Sequence, residues 1–288
     1  MAAGEEHRGV TSGGVDRSYI RHVPPAHDGT TPLPLVVDVH GYSEGADIHV
    51  LTTQLGAFGD EHDFVTITPQ GLGVVARWDP ALESADVAFV GDLLDDVEGT
   101  LCIDLDRIHV AGFSNGAFLT SAVACAYADR VASVAPVAGI QDPDGCEPDR
   151  PVPIVAFHGT ADGFVSYDGG LGEAAARLPA PDGSDRTLGD VGVTASGGPS
   201  VPEVAATWAE RNGCETTPDV EEVADDVTLI SYPCPTGADV ELYRITDGGH
   251  AWPGSAFSAS IERIVGRTTM SISANEVLWR FFEEHPLR

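Results

Sequence analysis

The chain has 288 residues, 42% of them hydrophobic, enough for one large domain or at most two small ones. No apolar run approaches the roughly 18 to 20 residues that cross a bilayer. The formal net charge is −30, and all 15 basic residues are arginine, which makes nucleic acid and anionic membranes poor partners.

Acidic residues are dispersed, with short clusters at 92–98 and 221–226. They read as a solvated surface that suits high salt or a high-GC genome. Residues 1–30 carry charge, Gly and Pro but no apolar h-region, so no secretory signal is read there. Residues 1–16 are expected to be a flexible segment, and 17–288 a single domain.

An edge strand is predicted over 17–23, ended by Pro24-Pro25, and a buried strand over 35–39 that delivers His40-Gly41-Tyr42 to its C-terminal end. Helical spacing of Ile48, Leu51, Leu55 and Phe58 follows over 47–60, then a strand over 64–68. Gly71-Leu72-Gly73-Val74-Val75-Ala76 matches a loose dinucleotide fingerprint. Arg77-Trp78-Asp79-Pro80 follows at once, however, and proline stops the helix that a pyrophosphate needs, so the stretch reads as a loop and no cofactor is expected.

A helix is predicted over 86–101 and a strand over 107–111. Gly112-Phe113-Ser114-Asn115-Gly116 comes next, then a helix over 117–128. This G-x-S-x-G run between strand and helix has the form of a nucleophile elbow, a strained turn at which a neighbouring Cβ would clash. The helix behind Ser114 aims free N–H groups and its positive dipole end at the place where an oxyanion would form.

Further buried strands are predicted over 131–137 and 154–157. Residues 171–200 break the rhythm with Gly, Pro, Asp and Ser and read as an irregular insertion near the site. A helix over 201–212, a hairpin within 218–232, a strand over 240–245 and a helix over 272–284 complete the chain. Strands alternating with amphipathic helices give an α/β fold, a mostly parallel sheet with helices on both faces and active groups at the strands' C-terminal ends.

Cys214 and Cys234 flank the hairpin, so a disulfide across its open end is expected. Cys102 and Cys125 lie at the lower edge of the sheet and are expected to pair, leaving Cys146 odd, although Cys146 competes as a partner. Two disulfides favour an extracellular setting.

A serine nucleophile needs a base within hydrogen-bond reach and a carboxylate to orient that base, here following it in the order Ser, Asp, His. His250, in Gly248-Gly249-His250-Ala251-Trp252-Pro253-Gly254, hangs just past the last strand and is the candidate base. Asp162, in His158-Gly159-Thr160-Ala161-Asp162-Gly163, is the candidate acid, with Asp168 the alternate and Asp247 too near His250 in sequence. His158 reads as a packed, hydrogen-bonded loop residue, and His285 as exposed. Oxyanion donors are expected from the backbone of Asn115 and from the His40-Gly41-Tyr42 turn, Tyr42 first and Gly41 with it. Trp252, Trp78 and His40 are candidate substrate contacts. No H-E-x-x-H, paired-Cys or EF-hand pattern accompanies His40, so no metal is expected.

The run from Leu35 to Tyr42, Cys102-Ile103-Asp104, Arg107 to Gly116, Ala135 to Gly139, His158 to Asp162, Trp208 to Cys214 and Gly248 to Gly254 together resemble the polyhydroxybutyrate depolymerase and feruloyl esterase group of carbohydrate esterase family 1. The resemblance covers nearly the whole chain from Arg17. It implies a secreted α/β-hydrolase cleaving carboxylic esters, with Ser114, Asp162 and His250 at the triad positions and the His-Gly-aromatic turn as the oxyanion loop. The reading taken forward is a serine esterase of polyester-depolymerase type, with a feruloyl or general short-chain carboxylesterase as the alternative. A noncatalytic binding module on the same scaffold, or a peptidase using the same triad, would be told apart by active-site labelling and amide substrates.

Overall fold

The computed structural model describes residues 3–193 and 197–287, so residues 194–196 of the expected insertion lie outside the described residues. In chain order the strands are β1 (Gly4–Ser12), β2 (Val15–Val23), β3 (Leu33–Val39), β4 (Val65–Pro69), β5 (Ile103–Phe113), β6 (Ser133–Val137), β7 (Ile154–Gly159), β8 (Asp219–Ala224), β9 (Val227–Tyr232) and β10 (Val240–Ile245). They form one sheet in the order β1-β2-β4-β3-β5-β6-β7-β10-β9-β8. The middle, from β4 to β10, is parallel, and antiparallel strands close both ends. Every residue of β3, β4, β6 and β7 is buried, as expected for parallel strands covered on both faces.

The helices are α1 (Ala46–Thr53), α2 (Leu55–His62), α3 (Ala85–Thr100), α4 (Asn115–Ala126), α5 (Val201–Arg211), α6 (Ala256–Ser260), α7 (Glu262–Val265) and α8 (Ala274–Glu284). One core packs α3, α4 and α5 on the sheet through Leu93, Leu94, Leu119, Val123 and Trp208. The other packs α2 and α8 on the opposite face through Leu55, Leu278, Trp279 and Phe282. Helix starts follow local chemistry: Ser84 Oγ accepts the Val87 N–H ahead of α3, and Ser200 with Glu203 forms a reciprocal capping box for α5.

Several expectations change. Residues 4–12, expected to be flexible, are an edge strand, because Gly13 and Gly14 at φ 55° and 81° turn the chain back to pair β1 along the whole of β2. The β2 segment is therefore internal. The helix expected over 47–60 is two helices, broken at Gln54, whose φ is 52°. In α1 the apolar side is not the buried one: Ile48 and Leu51 are 42% and 49% exposed, while His49, Thr52 and Thr53 are buried. Helices α6 and α7 were not expected from the sequence.

The cysteine pairing also differs. Cys214–Cys234 forms as expected, but the second disulfide is Cys125–Cys146, and Cys102 is free. Cys125 ends α4 beneath the loop that carries Cys146, bringing their Cα atoms to 5.4 Å. Cys102 lies just before β5, where its thiol faces the Thr30 carbonyl instead. His285 is buried rather than exposed: it stacks on Phe281 and bonds the Phe281 carbonyl and Asp239.

Candidate active site

Parallel register puts the C-terminal ends of β3, β5, β7 and β10 side by side, with Val39 opposite Gly112 and Gly159 opposite Ile245. The candidate triad and oxyanion residues lie on the loops that leave these ends, and Trp78 lies on the loop after β4. Ser114 stands alone between β5 and α4 with φ 55° and ψ −117°, a conformation costly to a residue with a side chain and kept only where the surroundings impose it. The flanking glycines are required by close approach. A Cβ on Gly116 would run into the Val39 and His40 carbonyls, and one on Gly112 into Thr120 and the Gly116 carbonyl. The elbow therefore rests directly on the end of β3.

Asp162 follows β7 and is buried. Its Oδ1 accepts the Phe164 and Val165 N–H groups at 2.8 and 2.9 Å, and its Oδ2 accepts His250 Nδ1 at 2.7 Å. Burial pushes this carboxyl up, but the His250 charge and these hydrogen bonds outweigh burial and hold it below the usual range. His250 N–H donates to the Val265 carbonyl, and its ring lies between Phe113 and Phe164 at 4.8 and 5.0 Å. Gly249 permits this, since a Cβ there would strike the Val265 carbonyl. His158 is buried, donates from Nε2 to the Val165 carbonyl at 2.9 Å and lies 3.5 Å from Asp162 Oδ2. Its role is that of a packed loop residue, and burial lowers its pKa. Asp168 and Asp247 are both exposed.

Ser114 and His250 line one cavity of about 200 Å³ together with Gly41, Tyr42 and Glu44. Its apolar wall is built by Phe113, Phe164, Leu178, Phe257, Ile261 and Val265. Leu178 comes from the irregular insertion, which carries short 3₁₀ turns at Ala175–Arg177 and Gly189–Val191. It is tied to the site where Tyr42 Oη donates to the Pro179 carbonyl at 2.8 Å. The sequence reading missed the Phe257, Ile261 and Val265 wall because helices as short as α6 and α7 leave too few turns for a helical period.

Among the described residues, the backbone N–H groups of Tyr42 and Asn115 donate to no protein acceptor. Gly41 leaves the donor set, because its N–H is already committed to Glu44 Oε2 at 2.8 Å. His40 is not a substrate contact either. It is fully buried, joins Gly41 and Gly71, and burial lowers its pKa to about 4. Trp78 and Trp252, at 3% and 1% exposure, are struts rather than walls. Trp78 donates from Nε1 to the His40 carbonyl at 2.8 Å while its backbone pairs both ways with the Asn115 amide, so it ties the His40-Gly41-Tyr42 turn to the turn that carries Ser114. Trp252 donates to Asn275, which in turn holds the Thr53 carbonyl.

The parallel middle of the sheet, the strand-to-helix elbow after β5 and the loops after β7 and β10 together define an α/β-hydrolase fold. The fold is shared with acetyl xylan esterase from Aspergillus awamori, at a TM-score of 0.61 and 13% identity, covering 85% of this chain and 94% of that one. By sequence the chain is related to enzymes named feruloyl esterase and poly(3-hydroxyalkanoate) depolymerase. It is 31% identical to feruloyl esterase B of Piromyces equi over 245 residues, which is 82% of this chain and 42% of the relative. It is 25% identical to poly(3-hydroxyalkanoate) depolymerase C of Paucimonas lemoignei over 252 residues, 81% of this chain and 58% of the relative. The chain thus spans about half the length of these two relatives. No protein-family model matches it.

Proposed function

We propose that the protein is a secreted serine esterase that hydrolyses carboxylic esters by two-step acyl transfer. The observation that carries this reading is one cavity lined by a serine at a strained strand-to-helix elbow and by a histidine whose Nδ1 is held at 2.7 Å by a buried carboxylate. With Nδ1–H donated to Asp162, Nε2 is the free base of the imidazole and can take the Ser114 proton as Oγ attacks the ester carbonyl. The Tyr42 and Asn115 N–H groups then receive the oxyanion, and the same imidazole returns the proton to the leaving alcohol before water repeats the sequence. One domain built on the single sheet, β1 included, carries this chemistry, and the two disulfides support an oxidising compartment.

The apolar wall, with Phe113, Phe164 and Phe257, favours a compact, flat acyl group of the feruloyl kind, in line with the name of the Piromyces relative. A second reading, attack on a polyester, has its own support. Ile48 and Ile264 line the cavity yet remain 42% and 68% exposed, an apolar rim on which a polymer could rest, and the Paucimonas relative is named a depolymerase.

The test is product release from methyl ferulate, poly(3-hydroxybutyrate) and a short p-nitrophenyl ester side by side, with Ser114→Ala as control. Ferulate release at rates matching the p-nitrophenyl ester supports the first reading, and 3-hydroxybutyrate release supports the second. Equal rates for wild type and Ser114→Ala, or no labelling of Ser114 by a fluorophosphonate, would sink both.

A further inference from the structure

Gly41 is fixed at both of its polar groups. Its carbonyl accepts from His40 Nδ1 at 2.7 Å, and because His40 Nε2 accepts the Gly71 N–H at 2.8 Å, the ring is the neutral Nδ1–H tautomer. The Gly41 carbonyl and the Tyr42 N–H belong to one planar trans peptide and point in opposite directions. Holding the carbonyl on His40 therefore aims the Tyr42 donor to the other side. The remaining freedom is rotation about Gly41 itself, and that is restrained by its N–H on Glu44 Oε2 at 2.8 Å.

Glu44 has support of its own. Oε2 also meets His49 Nδ1 at 3.0 Å, and Oε1 accepts the Thr52 hydroxyl at 2.6 Å. On the far side of the ring, His49 Nε2 meets Asp38 Oδ1 at 2.8 Å, while Asp38 Oδ2 accepts the Thr53 hydroxyl at 2.6 Å. A ring with a carboxylate on each nitrogen has two donors to give, so His49 is an imidazolium. Its side chain is fully buried, with Asp38 at 1% and Glu44 at 12% exposure. A buried ion cluster is a poor way to stabilise a fold, since apolar residues of the same volume usually do as well. Here it sits under the donor loop and turns α1 polar side inward.

Charge sign gives the cluster a second task. Glu44 lines the same cavity as Ser114, and a lone carboxylate there would repel the negative charge that develops on the substrate oxygen. The His49 imidazolium stands against that same carboxylate and offsets its field.

We propose that Glu44 is a positioning residue for the oxyanion loop, held by His49, which Asp38 holds in turn, and that the His49 charge, shared between the two carboxylates, offsets part of the repulsion Glu44 would otherwise exert on the oxyanion. The proposal rests on the serine-esterase reading above.

The experiment compares Glu44→Gln, Glu44→Ala, His49→Gln and Ser114→Ala with wild type. It measures kcat per active site titrated by fluorophosphonate, KM for a p-nitrophenyl ester, and affinity for an alkyl boronic acid, which forms a tetrahedral adduct on serine. Displacing one oxyanion donor predicts a fall in kcat of about tenfold to a hundredfold for Glu44→Ala and His49→Gln, with KM changed by no more than about threefold. Boronate affinity falls with kcat/KM. Glu44→Gln recovers part of the rate, because its amide oxygen still accepts the Gly41 N–H. A structural role alone would lower the titrated fraction and the melting temperature but leave kcat per site and boronate affinity unmoved, and that result overturns the proposal. So does a loss confined to KM, or a Gln variant no better than Ala. If Glu44→Ala does not fold, unchanged kcat per site in both Gln variants overturns it equally. Failure of the parent reading looks different: Ser114→Ala would keep the wild-type rate, or wild type would not label.

Discussion

Replacing Asp162 by Asn isolates the orientation of His250 from its presence. The Phe164 and Val165 N–H groups both donate to Oδ1, at 2.8 and 2.9 Å, so in the variant the amide oxygen must take that side. The amide NH2 then faces His250 Nδ1, where Oδ2 now lies at 2.7 Å. Two donors cannot share a hydrogen bond, so the ring shifts its proton to Nε2 and loses the lone pair that Ser114 needs. Wrong-tautomer variants of such triads lose roughly a thousandfold to ten-thousandfold in kcat, or about 4 to 5.5 kcal/mol of transition-state stabilisation at about 1.4 kcal/mol per factor of ten. Stopped-flow or steady-state hydrolysis of a p-nitrophenyl ester, normalised to folded protein by circular dichroism, measures it. Asp168→Asn and Asp247→Asn are the controls; both side chains are exposed and should leave kcat within about twofold. A loss under about tenfold for Asp162→Asn, or a comparable loss in either control, would refute the assignment.

Three further outcomes follow from the same contacts. Replacing Cys125 and Cys146 with Ser opens a loop spanning 21 residues, which chain-entropy arguments value at about 3 kcal/mol, seen as a lower urea midpoint with a somewhat steeper slope because the unfolded chain expands; titration of the native protein with a thiol reagent should find only Cys102. Gly116→Ala drives a methyl into the Val39 and His40 carbonyls and should cost about 1 to 3 kcal/mol of stability along with most activity, read by thermal melts and ester hydrolysis; an unaltered melt would show the elbow does not rest on β3. Burial works against the charges of Glu44 and His49, yet the His49 charge and its hydrogen bonds hold Glu44 at about 2, below 4.5, while Asp38 first and Glu44 second lift His49 to about 10, above 6.5. The pair's contribution is therefore complete from about pH 4.5 to 6.5, fading below that toward 2 and above it toward 10, so the melting-point gap between wild type and His49→Gln should peak near pH 5 to 6 and shrink toward pH 10.

The sheet was legible because its strands are short, apolar and bounded by turn residues, and the elbow because its glycines and its strand-to-helix setting occur together. The same logic singled out Asp162 and His250, each just beyond a strand end, and the structure joins them by a hydrogen bond of 2.7 Å. What was not legible depended on partners distant in sequence. Ile48 and Leu51 mimic a buried helical stripe, but α1 turns His49, Thr52 and Thr53 inward to meet Asp38 and Glu44, and no periodicity announces a buried carboxylate. Cys102 and Cys125 lie at the same edge of the sheet, yet the loop carrying Cys146 is nearer to Cys125. The tryptophans nearest the site in sequence, Trp78 and Trp252, are candidate substrate contacts by position alone, while both have their indole N–H drawn into the core.

Those misreadings share a cause that bears on function. A nucleophile elbow and an oxyanion loop are strained or open backbone, and neither holds its shape without contacts from elements outside the motif. Here the contacts are made by polar groups within an otherwise apolar interior: Trp78 between Asn115 and the His40 carbonyl, His40 between Gly71 and Gly41, Glu44 beneath Gly41, Asn275 between Trp252 and Thr53. Each hydrogen bond of this kind contributes only about 1 kcal/mol to folding, but breaking one side leaves a buried group unpaired at a cost of about 1 to 3 kcal/mol. The loops are thus fixed less by what they gain in place than by what they would lose on moving, which is the condition a preorganised oxyanion site requires.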